Sequence, residues 1–165
     1  MSINLTKGAN EMEYKIETIP FELTLVGKGY HVKTNEAFQT IPSLWAHAEK
    51  NGLMQQLIDL SWEQPKCTLE GLLGVCGKDA TITDEEFIYF MGIRYDGEVS
   101  NMERMTISHD TWAVIPNIDE AWQQLYSQWL PASQYKLANF PCIECYYPPT
   151  RHPENELWVP VIMKS

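Results

Sequence analysis

The feature that most constrains the fold of this chain is an order of apolar and polar patterns that runs twice as strand, helix and hairpin. A shift of 88 residues aligns the beginnings of the two halves and pairs these residues: Thr18 with Thr106, Ile19 with Ile107, and Val26 with Val114. Shifts of 81 and then 70 residues align the helices and the hairpins, and the last shift places Gly74 on Glu144. The pattern predicts an α+β fold made by duplication, with repeats at roughly residues 12–96 and 101–165.

The clearer of two predicted helices lies in the second half. Asn117 is its predicted N-cap, Glu120 follows three residues later as in a capping box, and Pro131 ends the segment. Apolar residues recur between them at helical spacing, Trp122 among them. Tryptophans at such positions are interpreted as core packing.

The other predicted helix lies in the first half and runs from about Ile41 to Asn51. Pro42 suits the first turn of a helix, because the missing N–H has no helical partner there. Gly52 is the C-terminal signal, since glycine readily adopts the left-handed conformation that ends many helices.

Eight stretches are rich in β-branched and aromatic residues and are predicted as strands. They are Tyr14 to Ile19, Glu22 to Val26, Leu69 to Cys76, Phe87 to Tyr95, Met102 to Ile107, Thr111 to Ile115, Cys142 to Tyr147, and Leu157 to Met163. Turns are predicted at Gly27-Lys28-Gly29, Gly77-Lys78-Asp79 and Asp96-Gly97. No linker divides the chain, so a single domain over residues 1–165 is predicted.

Composition excludes several classes of function. With 165 residues and 44% hydrophobic residues, the chain can bury a core without disulfides or metal. A net charge of −10 argues against a nucleic-acid partner, because binding phosphates requires a basic surface. There is no apolar run of about 18 residues to cross a membrane. Residues 1–14 lack a signal-peptide pattern, so a cytoplasmic location is expected.

The four cysteines, Cys67, Cys76, Cys142 and Cys145, raise the question of a redox or zinc site. Cys142 and Cys145 form a C-x-x-C motif, but in a predicted strand residues three apart point to opposite faces. The four histidines show no metal-ligand spacing, and no Ser or Cys lies in a nucleophile motif. We therefore expect buried free thiols, no metal, no cofactor and no catalytic nucleophile.

Six motifs follow one another in order from about Tyr14 to the end of the chain. They are Leu44-Trp45, Leu73-Gly74-Val75 before Glu86-Phe87-Ile88-Tyr89, Trp112-Ala113-Val114-Ile115, Trp122 through Pro131, Ile143-Glu144-Cys145-Tyr146, and Trp158-Val159-Pro160-Val161. In this order and spacing they resemble the GyrI-like, or AraC-type, effector-binding domains. Such domains form the ligand-sensing half of several multidrug-responsive transcription regulators.

The resemblance implies a tandem pair of β-α-β-β units that form a curved antiparallel sheet, with helices on one side and a ligand groove on the other. It also implies binding of cationic or amphipathic drug-like molecules. Because the chain has no room for a DNA-binding domain, it is similar to stand-alone members, some of which travel on mobile gene cassettes. The roles of those members include toxin antagonism, drug sequestration and hydrolysis of strained electrophilic natural products.

Glu144 is the main candidate for a ligand-binding residue. It lies in an apolar and aromatic stretch, where burial of a charge is costly and desolvation raises the pKa of a carboxyl group. The family's buried ligand-binding glutamate falls on this position, so the resemblance implies a counter-charge for a cationic ligand. Because the repeat places Gly74 at the equivalent position, we expect one asymmetric site. The alternative is that solvent, a backbone donor or a tyrosine hydroxyl satisfies Glu144.

Aromatic side chains are expected to complete the site, because each cation–π contact contributes roughly 0.5–2 kcal/mol. Tyr146 shares its strand face with the acid. The resemblance adds Trp112, Trp158 and Tyr89, which occupy aromatic positions of the family. The repeat, however, aligns Tyr89 with Val159, which faces opposite to Trp158, so both aromatics share a groove only if a β-bulge intervenes. Core packing is the alternative for each aromatic.

Three functions fit these observations. The first is a non-catalytic binder of cationic, amphipathic compounds that acts as a sensor or a sequestering protein. The second is a hydrolase in which Glu144 serves as general base against an electrophilic ligand. The third is an acidic module that antagonises a basic protein. The identity of the ligand stays open, as does a protein partner or a homodimer.

Overall fold

The computed structural model describes residues 13–20, 22–64, 68–77, 84–149 and 151–165. By its internal contacts the chain forms two compact units. Unit 1 combines the residues up to Leu23 with Ile107–Ser165, and unit 2 comprises Thr24–Thr106. None of the helices in the described residues is long and apolar enough to span a membrane.

The described residues contain nine strands and four α-helical segments. The strands are β1 (Lys15–Thr18), β2 (Leu23–Lys33), β3 (Leu72–Gly77), β4 (Glu86–Arg94), β5 (Glu103–Ile107), β6 (Thr111–Pro116), β7 (Tyr135–Leu137), β8 (Cys142–Tyr146) and β9 (Asn155–Met163). The helices are α1 (Ala37–Asn51), α2 (Leu53–Ser61), α3 (Ile118–Gln124) and α4 (Leu130–Ala132). A 3-10 turn, Thr34–Glu36, precedes α1, and a π-helical stretch, Leu125–Trp129, joins α3 to α4.

In unit 2 the strands lie in the order β3-β4-β2-β5, with antiparallel pairing of β4 to both β3 and β2. Helices α1 and α2 pack on one face of this sheet. Their core includes Ala48 and Leu57 from the helices, and Tyr89 and Met91 from β4.

In unit 1 the strands lie in the order β1-β6-β9-β8, again antiparallel, and β7 pairs with the end of β9. The helical segment that begins with α3 packs on one face. Ala121 and Leu125 from that segment are buried against Leu157 and Val159 of β9. The α+β class, with antiparallel strands and helices packed on a sheet face, is therefore confirmed.

The two units have the same plan, since β8-β9-β6-β1 in unit 1 corresponds to β3-β4-β2-β5 in unit 2. The outer strand of each unit comes from the other half of the chain. Strand β1 precedes β2 in sequence but pairs with β6, and β5 precedes β6 but lies beside β2. The unit boundaries therefore differ from the predicted repeat boundaries. A strand can reach a distant partner because antiparallel pairing depends on register and not on closeness in sequence. Duplication remains a prediction, as does a single domain.

The first-half helix differs from its prediction in extent. It begins at Ala37, so Pro42 lies inside α1 and not in its first turn. It ends as predicted at Gly52, whose φ is 89°. The sequence pattern did not predict α2, which starts immediately after this glycine.

The predicted turn at Gly27-Lys28-Gly29 lies inside β2. Gly27 pairs with Gly92 of β4, and a Cβ atom at Gly27 would lie 1.9 Å from the backbone oxygen of Met91. These glycines therefore allow two strands to approach closely, which is the other use of glycine inside a strand. The predicted turn at Gly77-Lys78-Asp79 lies partly outside the described residues, and Cys67 lies wholly outside them.

Candidate functional site

Strand β8 carries the candidate acid on its helix-facing side. In the antiparallel register Glu144 pairs with Leu157, and Leu157 belongs to the core beneath the helical segment of unit 1. Because strand residues alternate, Cys142 and Tyr146 lie on this same face, and both contact that core. The sequence-based grouping of Tyr146 with Glu144 therefore agrees with the register.

Glu144 is buried, with only 6% of its surface exposed. Its Oε2 accepts a hydrogen bond from the indole nitrogen of Trp122 at 2.7 Å. Its Oε1 accepts a longer bond, 3.3 Å, from the hydroxyl of Tyr146. Both donors are neutral, so these bonds satisfy carboxylate oxygens without adding a positive charge.

Helix α3 brings Trp122 over the sheet. The helix follows directly from β6, and Ile118 and Ala121 on its inner face are buried in the core. Trp122, one residue further, is half-buried and packs against that core, and its indole nitrogen reaches Glu144. A buried indole N–H needs an acceptor, and the carboxylate supplies it.

The start of α3 differs from its predicted capping box. Asn117 has a φ of 69°, and its side chain makes no capping hydrogen bond. The N–H of Ile118 instead donates to Oδ1 of Asn155, at 2.8 Å, on the first residue of β9. The cap therefore comes from a strand distant in sequence, a contact that local sequence patterns do not report.

The carboxylate changes the electrostatics of its strand neighbour. The pKa of the Cys142 thiol is raised to about 12, first because the thiol is buried and second because Glu144 lies close by. A thiol with such a pKa stays protonated at neutral pH and is a poor nucleophile. Among the residues that the structure describes, no group of three or more His, Cys, Asp or Glu side chains could hold a metal ion.

Trp112 and Trp158 lie on the other face of the unit 1 sheet. Trp158 pairs with Ile143 and Val114, the neighbours of the helix-facing residues. The two indole rings are 6.3 Å apart, and that of Trp112 donates to the backbone oxygen of His109 at 2.9 Å. Both residues are almost fully buried. The structure therefore does not bring them together with Glu144.

Tyr89 lies in unit 2, on the face of β4 that carries the helices. It is fully buried, and its hydroxyl accepts a hydrogen bond from the indole nitrogen of Trp45, on α1, at 2.9 Å. The repeat alignment paired Tyr89 with Val159 and so predicted that Tyr89 and Trp158 lie on opposite faces. The structure shows the two residues on these different faces of their own sheets.

Two functional candidates were missed by sequence reasoning. Trp122 was interpreted as core packing, and it does pack against the core of unit 1, but its indole N–H also donates to Glu144. Glu156 is the second buried acid: it accepts a short hydrogen bond from the Tyr147 hydroxyl and lies 3.8 Å from the Lys15 ammonium. The pKa of Tyr147 is raised, first because its hydroxyl is buried and then because Cys145 and Glu156 lie close by. Residues alternate between the two faces along β9, which places Glu156 on the same face as Trp158. This pattern could have identified Glu156 from the sequence as a buried acid.

The model of the GyrI-like small molecule binding domain family matches residues 12–162. This match covers nearly the whole chain, so the chain belongs to the GyrI-like small-molecule-binding domain family. No curated protein sequence matches the chain.

Solved structures share the fold at low sequence identity. The structure of SAV2435 bound to tetraphenylphosphonium has a TM-score of 0.74 and 19% identity, and the match covers 92% of this chain and 94% of that one. A candidate transcription regulation protein of Staphylococcus aureus MU50 has a TM-score of 0.67 and 21% identity, over 91% and 98% of the two chains. An integron cassette protein from the mobile metagenome of Vibrio cholerae has a TM-score of 0.54 and 10% identity, over 92% and 95%.

Proposed function

We propose that this chain binds lipophilic organic cations next to Glu144, and that it acts as a sensor or sequestering protein for them. The observation that carries the proposal is a carboxylate buried to 6% exposure with an indole and a phenol as its hydrogen-bond donors. Cys76, Cys142 and Cys145 form no disulfide, which suits a reducing compartment such as the cytoplasm.

The charge of Glu144 is the selective element of the proposed site. At an effective dielectric constant of 20, two opposite charges about 4 Å apart gain about 4 kcal/mol, which is several times the gain in open water. A neutral ligand of the same shape gains none of this energy. The proposed site therefore favours a cation over a neutral ligand of the same shape.

The rings of Trp122 and Tyr146 supply the aromatic surface for the same ligand. Both side chains hydrogen-bond to the acid, so a delocalised cation beside Glu144 can contact the Tyr146 ring where it lies and the Trp122 ring once it has moved from Oε2. Trp112 and Trp158, on the other sheet face, support the core of unit 1 and do not enter this account of the site. Tyr89, in unit 2, stays a proposed ligand contact on the family resemblance alone.

Access to the buried carboxylate requires movement of a covering side chain. Trp122 is the candidate, because it is half-buried and its helix continues into the π-helical stretch Leu125–Trp129. Such π-helical stretches are rare inside helices and occur frequently at functional sites. When the indole swings away from Glu144, the cation takes its place near Oε2.

The ligand of one structural neighbour supports this class of ligand. SAV2435 was solved with tetraphenylphosphonium, a large delocalised cation without hydrogen-bond donors. A cation of this kind can bind through its charge and through ring contacts, and the surroundings of Glu144 offer an acid and aromatic side chains. The sequence identity of 19% leaves the residues of that protein out of the argument.

A thermal-shift panel tests the proposal. It would compare tetraphenylphosphonium with two compounds of similar rings and different charge, neutral triphenylphosphine oxide and anionic tetraphenylborate. At a ligand concentration 100 times Kd, the cation should stabilise the folded chain by about 2.7 kcal/mol, which is a shift of several degrees in Tm. Stabilisation by the anion equal to that by the cation would contradict a site selected by negative charge.

A hydrolase is the second candidate, and one observation favours it. The Tyr146 hydroxyl lies 3.3 Å from Oε1 of Glu144, so an acid–base pair is present on one strand face. In that function Glu144 would remove a proton from water while the water attacks an electrophilic ligand. Loss of an epoxide probe in the presence of the protein, abolished by Glu144→Gln, would favour this function. An unchanged probe concentration over many protein equivalents would favour binding alone.

A further inference from the structure

The first turn of α3 is held by a single residue of β9. The N–H of Ile118 donates to Oδ1 of Asn155 at 2.8 Å, and the N–H of Asn117 donates to the backbone oxygen of Asn155 at 3.2 Å. One of these contacts requires the asparagine side chain, whereas any residue could provide the other. Asn155 thus replaces the N-cap that Asn117 does not provide.

The side-chain contact matters because a helix start has N–H groups without helical partners. Asn117 has a left-handed backbone and no side-chain capping bond, and Ile118 behind it is buried. Without the Asn155 carbonyl, the Ile118 N–H would lose its acceptor in a place that water reaches poorly. Removing a cap of this kind typically weakens a helix start by about 1 kcal/mol.

Asn155 also connects the two partners of the candidate site. It pairs with Tyr146 across the β8–β9 hairpin, two positions from the pair of Leu157 with Glu144. Strand β9 therefore pairs with β8, which carries the acid, and also holds the helix that carries Trp122. A displacement of the helix start relative to this strand would change the distance between the indole and the carboxylate.

We propose that Asn155 is a positioning residue, which holds α3 so that Trp122 covers Glu144 in the ligand-free protein. The proposal rests on the proposed function for its effect on ligand affinity. If Trp122 must leave Glu144 before a ligand enters, the apparent affinity is reduced by the fraction of molecules that are closed. Weakening the cap opens the site, so it should lower stability and raise affinity together.

Asn155→Ala and Asn155→Asp form the central pair of variants. Alanine removes the acceptor, whereas aspartate keeps an acceptor oxygen at the same place and adds a charge that suits a helix N-terminus. Asn117→Gly is the matched control, because glycine keeps the left-handed backbone and removes a side chain that makes no capping bond. Circular dichroism would confirm that each variant is folded.

The ligand-free readout is the indole N–H resonance of Trp122 in an NMR spectrum, assigned by its absence in Trp122→Phe. In Asn155→Ala we expect this resonance to move toward the position of a solvent-exposed indole and its hydrogen to exchange several times faster. Asn155→Asp and Asn117→Gly should keep the wild-type resonance. An unchanged resonance in Asn155→Ala would overturn the proposal, because the cap would then not position Trp122.

The ligand readout is calorimetric titration with tetraphenylphosphonium and triphenylphosphine oxide. Asn155→Ala should bind both about fivefold more tightly, the factor that corresponds to one lost N-cap, and Asn155→Asp should restore wild-type affinity. Weaker binding by Asn155→Ala would overturn the proposal, since a purely structural residue lowers stability and affinity together. A changed Trp122 resonance with no ligand bound by any variant would support the positioning role and contradict the proposed function.

Discussion

The indole nitrogen of Trp122 lies 2.7 Å from Oε2 of Glu144, so a helix and a strand of unit 1 meet at a buried carboxylate. This hydrogen bond satisfies Oε2, one of the two oxygens of the buried acid. A donor to a charged group contributes more than a neutral pair, about 1.5–3 kcal/mol. The same contact therefore contributes to stability, and in the proposed function it must break before a ligand reaches Oε2.

Substitution of Trp122 by phenylalanine should separate these two effects. The variant keeps an aromatic ring and removes the N–H donor, so the free energy of unfolding should fall by about 1–3 kcal/mol. Affinity for tetraphenylphosphonium should rise, because the closed state has lost its main hydrogen bond. Urea denaturation and calorimetry measure the two quantities. Tyr146→Phe is the control, with smaller changes expected from its longer 3.3 Å bond; a lower cation affinity in Trp122→Phe would contradict the covering role.

Trp112 should affect stability without affecting charge selectivity. Its ring is fully buried on the sheet face opposite Glu144, so Trp112→Phe leaves a cavity and removes the donor to His109. We expect a loss of about 1–3 kcal/mol in the free energy of unfolding. The ratio of affinities for tetraphenylphosphonium and triphenylphosphine oxide should equal that of the wild type. A ratio reduced tenfold would place Trp112 in the site.

Local sequence signals predicted the elements whose causes are local. Gly52 ends α1 in the left-handed conformation, and β8 occupies nearly the predicted range with Glu144 and Tyr146 on one face. Alternation along a strand and a glycine after a helix act within a few residues, so the sequence alone reports them.

The missed features depend on partners distant in sequence. Gly27 pairs with Gly92, and the Ile118 N–H is capped by Asn155, so neither role is visible in a short window. Trp122 fits the apolar spacing of its helix, and only the fold shows that its N–H meets Glu144. The sequence predicted that Glu144 and Tyr146 share one strand face, whereas the contact of α3 with Glu144 required the structure.

Alkaline pH should destabilise the protein through Cys142. The pKa of this thiol is about 12 in the folded chain against an ordinary value of 9.0, so between these values only the unfolded chain releases the proton. The contribution of the protonated thiol to stability is therefore fully present below about pH 9. Above this pH the free energy of unfolding falls by about 1.4 kcal/mol per pH unit. Urea denaturation at pH 8 and pH 10.5 should show a decrease about 2 kcal/mol larger in wild type than in Cys142→Ala. Equal decreases would contradict burial of the thiol.

The C-x-x-C motif should be chemically silent. Cys142 faces the helices, whereas Cys145 pairs with Glu156 on the other face of the sheet, so the two sulfurs cannot share a metal or a strain-free disulfide. Both thiols should react with a thiol reagent only after unfolding, and purified protein should contain no stoichiometric zinc. Elemental analysis and thiol titration in native and denaturing buffer test this expectation. A zinc equivalent lost together with folding would contradict it.

The most direct test of the account is calorimetric titration of wild type and Glu144→Gln with tetraphenylphosphonium and triphenylphosphine oxide. Glutamine keeps the shape and an acceptor for Trp122, and it removes the charge. Because the variant lacks the negative charge, the cation should bind it at least about tenfold more weakly, a loss of about 1.4 kcal/mol. The neutral compound should bind both proteins alike. Equal losses for both compounds would indicate distorted packing, and an unchanged cation affinity would contradict a counter-charge at Glu144.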